Sequence, residues 1–203
     1  MKPSLAVTRE HVDVEIRKLE IIVDEIYSAR VKVQYLMSEI VLIRVAAILE
    51  QAFSDIAFKL AAGANYLDGS LPLLLKNCSS MAGARSAMLS EGRPRSISNL
   101  KWTRAKYISD SVRHVIDPSD HFVSVCNRFG AEISQLFKAR NFAAHRTSGA
   151  RKEFRDVVKS VYGMNRPRLQ LGYFLLSKNY VKEPNIKRYL VEARVIVNDL
   201  VKY

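Results

Sequence analysis

The chain contains little cysteine, which excludes two kinds of protein. Its 203 residues include only Cys78 and Cys126, which lie far apart in the sequence. A disulfide-stabilised secreted scaffold, or a zinc site built on Cys-x-x-Cys pairs, needs more cysteines at closer spacing. We therefore expect two free thiols and a reducing, cytoplasmic environment.

Long apolar runs are missing as well. The most apolar stretch, IVLIRVAAILEQAF, is interrupted by Arg44 and Glu50, whereas a bilayer core needs about 20 consecutive apolar residues. The first residues, MKPSLAVTREHVDVEIRK, contain neither a continuous apolar segment nor a small-residue cleavage site. We expect no signal peptide, no membrane partner and a buried helix at the apolar stretch.

Several catalytic and cofactor motifs are absent. The sequence has no GxxxxGK[ST] or GxGxxG loop for nucleotide phosphates, no HExxH and no GxSxG. The four histidines, at positions 11, 114, 121 and 145, do not have the spacing of metal ligands. These absences argue against P-loop NTPases, dinucleotide enzymes, zinc proteases and serine hydrolases, and we expect no metal and no cofactor.

Basic residues, by contrast, are abundant. Lysine and arginine number 32 against 20 acidic residues, which gives a formal charge of +12. Such a surplus favours a polyanionic partner, namely RNA, DNA or anionic lipid, without choosing among them.

Helical periodicity runs through the first third of the chain. Apolar residues recur at steps of three and four in one series with a single gap at Arg30: Val12, Ile16, Leu19, Val23, Ile26, Val33, Met37 and Ile40. This series predicts one long helix, in which Arg30 either extends its charge out of an apolar seam or pairs with an acid, or faces a cleft. A second helix is predicted from about Ser38 to Ala62, ended by Gly63.

The rest of the chain predicts more helices. Residues 63–98 are rich in Gly, Ser and Pro, which indicates a long insert with one short helix. We expect Asn99 to cap a helix reaching Ile116, Ser119 to cap one that begins near Asp120, and Thr147 or Ser148 to cap the next. An extended run is possible in LQLGYFLL, before Pro184 opens a final helix. The predicted fold is all-α: an up-and-down helical bundle in one domain over residues 1–203, with a C-terminal extension at 164–203.

One short segment, KARNFAAHRTSGA at residues 138–150, combines residues suited to chemistry on a phosphate. Arg140 continues the apolar stripe of its helix, so its charge points to a core, a groove or an interface. Arg140 and His145 would be about 140° apart on an ideal helix, while Asn141 and His145 share a face. Either the helix ends or kinks before His145, or the two groups act on one substrate from neighbouring chains. A buried ion pair and a helix-terminal histidine would explain the same residues structurally.

This segment resembles the Arg-x4–6-His signature of the HEPN superfamily, all-helical domains found in ribonuclease toxins, CRISPR effectors and abortive-infection proteins. Its usual form, R-N-(small or apolar)-x-A-H, is matched by Arg140, Asn141, Ala144 and His145. LIRVAAILEQAFSDIAFKL, residues 42–60, is similar to the core helix of RiboL-PSP-type HEPN proteins, in which a glutamate precedes an aromatic residue, here Glu50 and Phe53. The order of segments is also similar over about residues 10–165, with a variable insert before the Arg–His helix.

The resemblance implies a metal-independent endoribonuclease that works as a homodimer with a composite active site. The RNA 2′-hydroxyl would attack its adjacent phosphate and leave a 2′,3′-cyclic phosphate and a 5′-hydroxyl. His145 would be the general base or acid, because imidazole titrates near neutrality. Arg140 would stabilise charge on the phosphorane oxygens, and Asn141 would orient His145 or bind phosphate.

Further residues are candidates for supporting roles. Glu50 is costly to bury alone, so we expect a cationic partner, either Arg140 or Arg44, unless it reaches solvent. Arg146, Arg151 and Lys152 could hold RNA phosphates or form a solvated face. A second basic cluster, with Trp102 and Tyr107 inside it, could bind single-stranded RNA, unless Trp102 belongs to the core; it comprises Arg85, Arg93, Arg95, Lys101, Arg104 and Lys106.

One departure from the family concerns regulation. HEPN toxins silenced by a partner nucleotidyltransferase commonly continue His-x-Tyr, whereas Arg146 and Thr147 follow His145 here. The adenylylated tyrosine is therefore missing, although an antitoxin protein remains possible. The competing interpretations are a non-catalytic HEPN module that binds RNA or a protein, and an unrelated helical scaffold.

Overall fold

The structure, a computed structural model, describes residues 3–178 and 183–203. The first two residues and residues 179–182 of the predicted C-terminal extension lie outside it. The described residues form helices, joined by turns and loops, with two isolated bridges and no β-strand. The helices are α1 Leu5–Ile26, α2 Val31–Ala61, α3 Met81–Ser90, α4 Ala105–Val112, α5 His121–Arg128, α6 Gly130–His145, α7 Ser148–Tyr162, α8 Leu171–Leu176 and α9 Asn185–Val201. The predicted all-α bundle is confirmed.

The predicted long first helix is wrong at its centre. The chain turns at residues 27–30, where the Ser28 and Ala29 amides bond back to carbonyls of the last turn of α1, and α2 begins at Val31 rather than Ser38. Arg30 is exposed in that turn, so neither interpretation of it as a helical residue holds. The break also changes which face is buried, because Val33 and Ile40 are exposed. Gly63 does end the helical segment, at a φ of +92°.

The described part of the chain divides into two compact units. The first comprises residues 3–13, 49–133 and 195–203. Its insert is fastened by backbone hydrogen bonds, among them Leu67 N–H to Val201 O at 2.9 Å and Cys78 N–H to Ala61 O at 2.9 Å. The buried carboxylate of Asp120 accepts hydrogen bonds from Tyr66 Oη at 2.6 Å and from the Leu73 amide at 2.8 Å. The predicted short helix in the insert is α3.

Two predicted helix caps in the first unit are wrong. The helix expected to follow Asn99 begins only at Ala105, with Arg104 at its N-cap. Asp120, not Ser119, caps α5, because its side chain accepts from the Phe122 amide, while the Ser119 hydroxyl bonds to Asp117. The single helix expected from residue 120 is also interrupted at Phe129, whose ψ of 19° separates α5 from α6.

The second unit comprises residues 14–48 and the described part of 134–194. Thr147 caps α7 as predicted, since its side chain accepts from the Ala150 amide. The run expected to be extended forms the short helix α8 instead, in which Gly172 packs against Tyr35 so closely that an added Cβ would meet the Tyr35 Cβ at 2.3 Å.

The final helix follows Pro184 as predicted. Along α9 every residue of the predicted apolar stripe is buried: Ile186, Tyr189, Leu190, Ala193, Val197 and Leu200.

None of the described helices has the length and apolar character needed to cross a membrane. Among the described residues there is likewise no cluster of three or more His, Cys, Asp or Glu side chains placed to hold a metal ion.

Candidate functional site

The helix that carries the Arg–His motif runs without interruption to its histidine. α6 ends at His145, and Arg146 then adopts a left-handed conformation, with a φ of +51°. The expectation that the helix ends or kinks before His145 is therefore wrong. Arg140 and His145 project from one helix about 140° apart, so one copy of α6 cannot direct both at the same atom from the same side.

The motif residues differ in exposure. His145 is exposed, whereas Arg140 and Asn141 are half-buried. Arg140 Nη1 donates a hydrogen bond to Asn141 Oδ1 at 3.2 Å. The amide oxygen of Asn141 thus accepts from the Arg140 guanidinium. The predicted role of Asn141 in orienting His145 stays a prediction.

Glu50 is half-buried in α2. Its predicted pairing with Arg140 stays a prediction. Arg44, the other cation considered for it, pairs with Glu15 at 3.3 Å.

The second unit contains an open cavity of about 490 Å³, which we name the arginine groove. Arg146, the residue that follows the motif in the sequence, is one of its lining residues. Residues from α2, α6, α7, α8 and the segment between α7 and α8 line it. Five cations face a single acid, Glu39: Arg146, Arg151, Arg155, Arg166 and Arg168. With four positive charges in excess, this wall attracts anions.

Aromatic rings pack against two of these arginines. The guanidinium of Arg146 pairs with Glu39 and lies 4.7 Å from the centre of the Phe142 ring. Phe142 in turn stacks on Phe154, with ring centres 4.9 Å apart. At the other end, Arg166 lies 4.0 Å from the centre of the Tyr162 ring. Cation–π contacts of this kind hold guanidinium groups in place without neutralising them.

The predicted RNA-binding residues fall in different places. Arg146 and Arg151 line the arginine groove, whereas Lys152 is exposed on α7 and does not. In the first unit, Arg104 and Lys101 lie 5.6 and 5.4 Å from the centre of the Tyr107 ring, and Lys106 is exposed.

Trp102 belongs to the core, as one of the two interpretations expected. It is 6% exposed and meets Phe58 edge-on at 5.8 Å between ring centres. Arg93, from the same basic cluster, donates to the backbone oxygens of Met88 at 3.0 Å and Asp110 at 2.6 Å. Trp102 therefore packs in the core, while Arg93 lines one cavity together with Lys101 and Tyr107, and their binding of RNA stays a prediction.

Sequence reasoning missed Arg155, Arg166 and Arg168. A signal was present for the first, because Arg151 and Arg155 are four residues apart and so share a face of a helix. No such signal existed for Arg166 and Arg168, which lie in a loop that local periodicity does not place.

Comparison of the chain with family models, with curated proteins and with solved structures gives no match in any of the three.

Proposed function

We propose that this chain is a metal-independent endoribonuclease of the HEPN superfamily, which cleaves single-stranded RNA in the cytoplasm as a toxin or anti-phage defence effector. The observation that supports the proposal most is the motif Arg140–Asn141–x3–His145 at the end of α6 in an all-α protein. The formal charge of +12 is consistent with an RNA substrate.

His145 and Arg140 divide the chemistry. One imidazole removes the proton of the RNA 2′-hydroxyl, whose oxygen then bonds to the adjacent phosphorus. The bond from phosphorus to the 5′-oxygen breaks, and the imidazolium of another His145, acting as the acid, protonates that oxygen. Arg140 stabilises the charge on the phosphorane with its planar, two-pronged donor.

A homodimer supplies the pair of groups that one helix cannot. Arg140 and His145 project from different sides of α6, so an Arg140 from one copy and a His145 from the other would complete each half of the site. Two copies also provide the two imidazoles that the reaction uses as base and acid. An antitoxin protein remains a possible further partner, although position 147 is a threonine rather than the tyrosine that is modified in some HEPN toxins.

A second candidate is a non-catalytic HEPN module that binds RNA or a protein partner. The bond from Arg140 to Asn141 favours it, because a guanidinium engaged inside its own helix has fewer donors for a phosphate. Both candidate functions include binding of RNA, and only the endoribonuclease cleaves it.

The test is RNA cleavage by the purified protein in EDTA. We expect Arg140→Ala and His145→Ala each to lower the rate by a factor of about 100 or more, the range of one acid–base or electrostatic contribution. Arg140→Lys should also be impaired, because an ammonium lacks the fork geometry. The matched control is Arg17→Ala, which removes an exposed arginine of α1.

Circular dichroism and light scattering must show that the variants keep the fold and the dimer. Full activity of Arg140→Lys would contradict the clamp role. RNA that stays intact with the wild type, but is bound equally by the wild type and both alanine variants, would eliminate the enzyme and leave the binding module.

A further inference from the structure

Backbone strain is concentrated in the arginine groove. Among the described residues, only two other than glycine have a positive φ, Arg146 at +51° and Arg168 at +66°. Both line the groove. A left-handed conformation is unfavourable for a residue with a Cβ, and such residues cluster where a side chain must point in a particular direction for function. Glycine or asparagine would be the ordinary choice at both positions.

The charge of the groove is not neutralised from within. Arg146 pairs with Glu39, the acid of the lining. Within the part of the chain that the structure describes, no hydrogen bond or ion pair engages the side chains of Arg155 and Arg168. Guanidinium groups gathered around one cavity repel each other, so an anion that bridges them is favoured over several separate water contacts.

The shape of the groove favours a compact anion over an extended strand. Its volume of about 490 Å³ lies in the range of small-molecule sites, about 300–1,000 Å³. Single-stranded RNA spreads one charge over each nucleotide and binds through bases stacked on open aromatic faces. The two phenylalanines that line the groove, Phe142 and Phe154, are only 7% and 3% exposed and stack on each other. Their ring faces are therefore not open for stacking with bases.

We propose that the arginine groove binds a ligand with two or more directly linked phosphate groups, either an inorganic polyphosphate or the phosphate chain of a nucleotide. Linked phosphates carry several charges within a few ångströms, which matches several guanidiniums around one cavity. Arg155 supplies donors from α7, and Arg168 supplies donors from the loop before α8. The groove does not include the proposed ribonuclease residues, because neither Arg140 nor His145 lines it. It assigns Arg146 and Arg151 to this ligand rather than to an RNA strand.

Isothermal titration of the full chain tests the proposal with four probes: inorganic triphosphate, orthophosphate, ATP, and a 2′-O-methyl oligonucleotide of about ten nucleotides, which resists cleavage. We expect triphosphate to bind at least about tenfold more tightly than orthophosphate, because each added charge-assisted contact contributes about a factor of ten. ATP should compete with triphosphate for one site, which identifies the linked phosphates as the recognised group in either source.

Two variants locate the site. Arg168→Gly removes a guanidinium from a position whose φ suits glycine, so the fold should be retained, and Arg155→Ala removes another from α7. Each should weaken triphosphate binding by about tenfold or more, whereas the exposed Arg17→Ala should leave it unchanged. Triphosphate affinity equal to that of orthophosphate, or unaltered by both variants, would overturn the proposal. The proposal would also be overturned if the oligonucleotide bound more tightly than triphosphate and the two variants weakened only the binding of the oligonucleotide. The groove would then be a binding site for an RNA strand.

Discussion

Asp120 is the polar centre of the first unit, and its removal should cost more stability than any single surface change. Its carboxylate is fully buried and accepts three hydrogen bonds, from Tyr66 Oη at 2.6 Å, from the Leu73 amide at 2.8 Å and from the Phe122 amide at 2.9 Å. One side chain thus joins two points of the insert to the start of α5. Asp120→Ala would remove all three of these acceptor contacts at once.

The expected loss follows from those three donors. The Leu73 amide and the Tyr66 hydroxyl would lose their acceptor, at about 1–3 kcal/mol each, and α5 would lose its cap, at about 1 kcal/mol. The Phe122 amide keeps part of its bonding, because it also lies 3.2 Å from Tyr66 Oη. We therefore expect the free energy of unfolding to fall by about 3–7 kcal/mol. Tyr66→Phe, which leaves both amide bonds intact, should cost about 1–2 kcal/mol.

Urea unfolding followed by tryptophan fluorescence is the assay. Trp102 is the single tryptophan of the chain and lies buried in the same unit, so its emission reports the unfolding of that unit. If the urea midpoint falls while the dependence of the unfolding free energy on urea concentration stays the same, the substitution has changed stability and not the surface exposed on unfolding. A cost below about 1 kcal/mol for Asp120→Ala, or an equal cost for Tyr66→Phe, would refute the network as described.

The same unit should lose stability in alkali. Burial, and then the hydrogen bond to Asp120, raises the pKa of the Tyr66 hydroxyl above its ordinary value of about 10. Above about pH 10 the unfolded chain releases this proton while the folded chain retains it, so the free energy of unfolding falls as pH rises. Tyr66→Phe should reduce this loss of unfolding free energy per pH unit above about pH 10.

Two further predictions concern packing and thiol chemistry. Gly172→Ala should lower the free energy of unfolding by about 2–3 kcal/mol, because the new Cβ would lie 2.3 Å from the Tyr35 Cβ and 2.6 Å from its Cα. The control Gly149→Ala, in a helix with no atom within 4 Å of its Cβ, should raise it by about 0.5–1 kcal/mol, and a loss there equal to that of Gly172→Ala would contradict the steric argument. Cys126 is buried and Cys78 is half-buried, and burial raises the pKa of both thiols. Ellman's reagent should therefore label Cys78 in the native protein and Cys126 only on unfolding. Native labelling of both thiols at one rate would contradict the burial of Cys126.

Sequence periodicity was informative where a stripe and a cap agree. The stripe of α9 and the cap at Thr147 were both predicted, because each depends on residues within one or two turns of the helix. The break at Arg30 was missed because α1 and α2 happen to continue one apolar period across the turn. Periodicity detects the spacing of apolar residues and is insensitive to the direction in which a second helix continues.

Caps with more than one candidate were harder. Ser119 and Asp120 are both good N-cap residues, and the choice between them depends on distant partners. Asp120 is held in place by Tyr66 and Leu73, which lie about fifty residues earlier in the chain, while Ser119 instead bonds to Asp117. A local pattern contains no information about those contacts.

The candidate sites divide in the same way. Arg140 and His145 could be proposed from the sequence because all residues of the motif that resembles the HEPN signature lie within one short segment. The arginine groove was not found, because its cations come from α7 and from the loop before α8, and only the fold brings Arg155 and Arg168 to the same cavity. A basic composition predicted an anion partner but could not predict where the charges gather.

End-group analysis of cleaved RNA is the most direct test of the proposed function. Single-stranded RNA is incubated with the purified protein in EDTA, and the new ends are examined by mass spectrometry and by their reactivity towards polynucleotide kinase and ligase. We expect 2′,3′-cyclic phosphate and 5′-hydroxyl ends with the wild type, and intact RNA with His145→Ala. RNA left whole by the folded wild-type protein, or ends bearing a 5′-phosphate and a 3′-hydroxyl, would contradict attack by the 2′-hydroxyl.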